Sequence, residues 1–240
     1  MTNNSRSSAK TESHHPPVPP RAIAVSGMFF SVLFLTSLII LRIAVPADAT
    51  DPGAWLADPG LRKWIGIALN LFPFSGIAFL WFMGVLRNRI GELEDRFLAT
   101  VFLGSGLLFV AMLFTCGAVS QGLLGLFSAA GQIPGGSETY ALGRWMAYAL
   151  MATYGLKMAA VFMMVTSTIG LRTRVLSRWV TFVGFAFALV FLLSVTEIPW
   201  LATLFPCWVM LVSTWILMAD IRQGRRSSGD VSIFHQASEN

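Results

Sequence analysis

The stretch WMAYALMATYGLKMAAVFMMVTSTIGL, residues 145–171, decides the class of this protein. In 27 positions it holds one charged residue, Lys157. A helix rises about 1.5 Å per residue, so the run is long enough to cross the roughly 30 Å hydrocarbon core of a bilayer. Strands of a membrane barrel are about 9–11 residues long with alternating polarity. This run is longer and does not alternate. Lipid offers backbone groups no partner, so the run reads as a transmembrane helix.

Five more runs of this kind lie on either side, at residues 22–41, 64–86, 97–119, 179–196 and 199–219. None contains a charge. The expected fold is all-α, an integral membrane six-helix bundle over residues 22–220. A disordered tail, 1–21, precedes it and a polar tail, 221–240, follows. The first tail is rich in Ser, Thr, Asn and Pro and cannot bury enough apolar area to fold; its HHPPVPP segment favours an extended spacer. Ala47-Asp48-Ala49 mimics a signal-peptidase site, but the run before it exceeds the roughly 7–15 residues of a signal h-region, so a retained anchor is expected. The segment SQGLLGLFSAAGQIPGGS, 120–137, carries five glycines and reads as a loop, with Leu123–Phe127 lying in the interface or extending the helix.

Composition agrees. Charged residues make up 12% of the 240, against about 25% in soluble domains, and mean hydropathy is +0.67. These values argue against a soluble globular protein, a disordered chain and a nucleic-acid binder. The formal charge of +5 is explained by basic residues flanking the apolar runs. With both tails inside, twelve Lys and Arg fall on the cytoplasmic side and four outside. That bias predicts an N-in, C-in topology. Trp64, Trp145, Trp179 and Trp200 sit at run ends, where interfacial anchors belong. The short loop RNRIGELEDRF, 87–97, balances three basic and three acidic residues and suits a solvated connector.

Lys157 is the sharpest chemical feature. A lysine at a helix centre costs about 2.5–3.5 kcal/mol to insert. At helical spacing it shares a stripe with Thr153 and Tyr154. With Asn70 of the second run these form the candidate intramembrane polar site. Three readings stay open. The lysine serves an anion or a proton-coupled substrate. It bonds Tyr154, Asn70 or a carbonyl freed near Pro73 or Pro206. Or it snorkels to the interface. Glu197, at the outer turn, is expected to face headgroups.

Other motifs carry less. Cys116 and Cys207 lie in apolar runs and read as buried thiols. Met146, Met151, Met158, Met163 and Met164 read as packing filler. Gly104 with Gly106, and Gly155 with Ala159, would let helices approach closely, within the chain or in a homo- or hetero-oligomer. Gly104-Ser105-Gly106 lacks a histidine base. All three histidines, His14, His15 and His235, lie in the tails, and the runs hold no acid. No catalytic, cofactor-binding or metal residue is expected, and no cofactor. The bilayer is the one partner the composition names, with any small-molecule ligand unknown.

The stretches ALNLFPFSGIAFLWFMGVLRNRIGELEDRFLATVFLGSGLLFVAMLF (68–114) and RIAVPADATDPGAWLADP (42–59) resemble a group of uncharacterised bacterial multi-pass membrane proteins of actinobacterial type. The resemblance implies a plasma-membrane location and no assigned activity. The function expected is a non-enzymatic membrane protein, a scaffold or subunit. The alternative is a small transporter or permease working around Lys157.

Overall fold

The computed structural model describes residues 20–46, 53–90, 96–130, 138–173, 176–194 and 200–238. Among these the regular elements are all helical. They are α1 (Pro20–Ala44), α2 (Pro59–Ile90), α3 (Arg96–Ala130), α4 (Glu138–Tyr148), α5 (Leu156–Thr173), α6 (Arg178–Leu193) and α7 (Leu204–Ser238). A π-helical segment, Ala149–Gly155, joins α4 to α5, and short 3-10 turns cover Ala54–Ala57 and Leu201–Thr203. Five stretches are long and apolar enough to cross a bilayer: Ala24–Ala44, Pro59–Arg87, Arg96–Phe127, Glu138–Thr173 and Leu201–Arg222. Helix α6 is apolar but shorter, at 16 residues.

Local chemistry explains the helix ends. Pro20 and Pro59 open α1 and α2, where a missing N–H costs nothing. Asp58 caps α2, its carboxylate accepting from the N–H of Gly60 at 2.7 Å and of Leu61 at 3.4 Å. Pro73 lies inside α2, and the helix runs on through it. Pro206 falls in the first turn of α7, where helical N–H groups have no partner to lose. Neither proline therefore unwinds its helix.

The structure sets three helix ends. Helix α3 continues to Ala130, so of the alternatives for residues 123–127 the structure shows the helix extension. The polar segment after Asp220 extends α7 to Ser238, since it contains no proline to interrupt the hydrogen-bond ladder. Helix α6 ends at Leu193, before Thr196. The 1–19 part of the first tail, Ala47-Asp48-Ala49, residues 91–95 of the connector, residues 131–137 and Glu197 lie outside the described residues.

Packing runs in a circuit: α1 against α2 and α7, α2 against α3, α3 against α5, α5 against α6, and α6 against α7. Its centre is aromatic. Phe79 of α2 meets Phe30 of α1 at 4.9 Å, Phe109 of α3 at 5.4 Å, Phe162 of α5 at 5.1 Å and Phe205 of α7 at 5.6 Å between ring centroids. Such tilted and edge-on pairs gain energy beyond their area. In lipid, helix association depends on this close packing, because water is not being expelled. Small residues permit it. A Cβ on Gly27 would lie 2.7 Å from the Phe82 ring. Ser37 ties α1 to α2 by donating its hydroxyl to the Ala68 carbonyl at 2.7 Å. The outward surface is apolar too. Phe74, Trp81 and Trp179 are exposed, as side chains in contact with lipid would be.

The aromatic hub gives a direct test. Phe79→Ala should cost about 3 kcal/mol through the void it leaves among four helices. The outward Phe74→Ala should change stability by less than about 0.5 kcal/mol. Thermal melting of both purified variants in one detergent compares them.

Candidate functional site

Helix α6 creates the problem that the site answers. Its 16 residues reach about 24 Å, short of a roughly 30 Å core. Every helix leaves its last four carbonyls without an intrahelical partner. In α6 these include the carbonyls of Phe191 and Leu192. Lys157, the second residue of α5, meets them. Its Nζ donates to the carbonyl oxygens of Phe191 at 2.6 Å, Leu192 at 3.0 Å and Ser194 at 2.8 Å. An ammonium group has three donors, and all three are engaged. The cation also faces the negative end of the α6 dipole. The lysine is thus a C-terminal cap supplied by a neighbouring helix.

Beside this cap lies a cavity of about 530 Å³. Its walls come from the C-terminal end of α1, the first half of α2, the second half of α3, α4 with the π segment, the end of α6 and the 201–202 turn. The floor includes Leu69, Phe72 and Leu156. Phe72 in turn packs edge-on against Phe34 of the central aromatic cluster, at 6.0 Å. The cavity is therefore stopped below by the phenylalanine core. At the other end stand Arg42, from the last turn of α1, and Arg144 of α4. Arg144 donates through Nη1 to the Tyr140 hydroxyl at 3.0 Å and through Nη2 to the Pro46 carbonyl at 2.8 Å. Its guanidinium carbon lies 6.0 Å from the centre of the Tyr140 ring. These contacts hold it in one place.

The rim is built around Gly53. Its φ of 86° is left-handed, which glycine tolerates, and a Cβ there would lie 2.8 Å from the Tyr140 ring. The turn that follows places Trp55 and Leu56 on the cavity wall. Leu56 packs with Phe127 and Tyr140 in a second small core. Cys116 of α3 links the walls by donating its thiol to the Ala147 carbonyl at 3.3 Å.

Among the described lining residues charge has one sign. Arg42, Arg144 and Lys157 are present, and no Asp or Glu is among the described lining residues. No hydrogen bond or ion pair occupies Arg42 among the described residues. The indole N–H of Trp55 is buried and likewise has no acceptor among them. No group of three or more His, Cys, Asp or Glu suited to a metal occurs among the described residues.

The four residues of the sequence-derived polar site divide between two places. Lys157 and Thr153 share the cavity wall. Tyr154 is 60% exposed and lies outside it. The π segment explains the split. Its i→i+5 bonding changes the angular step just before Lys157, so α-helical spacing no longer predicts which neighbours share the lysine's face. Asn70 also lies outside the cavity lining. It donates to the Gly66 carbonyl at 2.9 Å and accepts from the Gln121 amide at 3.3 Å, bridging α2 and α3. The lysine's carbonyl partners lie at the end of α6, not near Pro73 or Pro206. Arg42 and Arg144 were missed as site residues. The available signal was in the sequence count: both belong to the minority of basic residues that run against the predicted charge bias.

No family model, curated protein or solved structure matches the chain.

Lys157→Met should destabilise the protein by about 3 kcal/mol, since it leaves carbonyls without a donor in an apolar setting. Lys157→Arg should retain more of the stability. Thermal melting measures both. Hydrogen exchange at the last turn of α6 should quicken selectively in the Met variant.

Proposed function

We propose that this chain is a non-enzymatic membrane protein of six transmembrane helices, with both tails in the cytoplasm, that holds a ligand in the basic cavity. The spans are α1, α2, α3, the continuous α4–α5 rod, α6 and α7. The capping of α6 by Lys157 supports counting that short helix as a span, because the cap satisfies an end that does not reach the far interface. The distribution of Lys and Arg supports the orientation. The resemblance to bacterial multi-pass proteins supports a plasma-membrane location. In this topology the cavity opens on the outer face.

One observation carries the binding role: a 530 Å³ recess with three cationic side chains and no described acid in its wall. Pockets that hold a single small ligand span about 300–1,000 Å³ and combine apolar walls with a few polar groups. A scaffold or subunit alone does not require such a recess. The permease reading, in which Lys157 itself couples transport, has weaker support. Its three donors serve the α6 carbonyls, and the phenylalanine core blocks the way below. The non-enzymatic reading rests on the sequence, whose histidines all lie in the tails and whose six apolar runs carry no acid.

Orientation is checked by cysteine labelling with Cys116 and Cys207 replaced by Ala. A Thr139→Cys variant should react with an impermeant maleimide in intact cells. A Ser227→Cys variant should react only after permeabilisation. The reverse pattern overturns the topology.

A further inference from the structure

We infer that the cavity binds a single-chain anionic amphiphile: one carboxylate or phosphate head at the Arg42–Arg144 rim, one acyl chain against the apolar floor. The inference rests on the ligand-binding reading above and names the ligand class. Two properties of the recess must be met together. The floor of Leu69, Phe72 and Leu156 is apolar, so a small hydrophilic anion would leave most of the wall against water. The rim carries Arg42, which has no partner among the described residues, so an uncharged lipid would leave that guanidinium unmatched.

Rim geometry points to the anion's position. Lys157 already directs its three donors to carbonyls and contributes charge without a spare N–H. Arg42 has no hydrogen-bond or ion-pair partner among the described residues. A guanidinium presents a planar fork that suits carboxylate and phosphate oxygens. Arg144, positioned by Tyr140 and Pro46, lines the same end of the recess. Size sets the chain number. A volume of about 530 Å³ suits one ligand of ordinary dimensions, and a single acyl chain is the simplest fit to it.

The head could come from a free fatty acid or from a lysophospholipid, and the test separates them. The full chain is reconstituted in phosphatidylcholine nanodiscs. Its thermal unfolding is followed with oleate, lysophosphatidate, monoolein and sodium phosphate added in turn. A saturable rise in Tm with oleate identifies a free acid as a ligand, and one with lysophosphatidate a phospholipid head. Monoolein and phosphate should give none. Arg42→Gln should weaken the binding at least tenfold. Ala152→Trp, which fills the recess from the π segment, should abolish it while the unliganded melting profile shows that the variant folds.

Equal stabilisation by monoolein, or by phosphate alone, overturns the inference and leaves the ligand-binding reading standing. Absence of any shift also overturns it. Unchanged oleate affinity in both variants places binding elsewhere and refutes the site. The topology is read by labelling and is independent of all four outcomes.

Discussion

A carbonyl oxygen in hydrocarbon must find a donor, because no water is available to supply one. Helix α6 is only 16 residues long, and Lys157 supplies donors to the carbonyls at its end. The arrangement explains both halves of an apparent misfit. A charge deep in an apolar run is costly alone, and so is a short helix with open carbonyls. Placed together, the ammonium and the carbonyls satisfy one another, and the α6 dipole adds to the attraction. The contact also fixes the end of α6 to the start of α5, and so defines one wall of the adjacent cavity.

The rest of the packing is built for close contact rather than for burial from water. Phe79 touches rings from four other helices, and those rings fill the middle of the circuit. Several buried hydroxyls are bonded within their own helices, as Ser31 is to the Gly27 carbonyl and Thr166 to that of Phe162. Ser37 joins two helices. The buried Ser167 and Ser213 hydroxyls and the Trp208 indole N–H have no partner among the described residues. Above the aromatic layer the character changes, and arginine, tyrosine, tryptophan and lysine gather at one end.

Much of this was legible in the sequence, and the limits have physical causes. Apolar run length alone marked the helical class, because lipid admits few backbone solutions. Lys157 stood out because a charge in such a run is rare. What it bonds was not legible, since its partners lie more than thirty residues away in sequence and depend on where α6 stops. The π segment escaped notice because ALMATYG carries no residue that forces i→i+5 bonding. That single change of step separated Tyr154 from Thr153 and Lys157. Arg42 and Arg144 read as loop charges because they flank different runs. Only the fold brings them to one rim. In the Gly-rich stretch after Ser120 the sequence left loop and helix extension both open, because glycine weakens a helix by about 1 kcal/mol per residue. Leu123, Leu124 and Phe127 pack well enough to carry the helix through.

The phenylalanine floor gives the molecule a direction. A recess closed on one side exchanges with one surface only, so its occupancy follows the chemistry of that side and is blind to the other. A path straight down from the recess would have to part rings from α1, α2, α3, α5 and α7. In the proposed topology, such a recess would report on one face of the membrane rather than join the two.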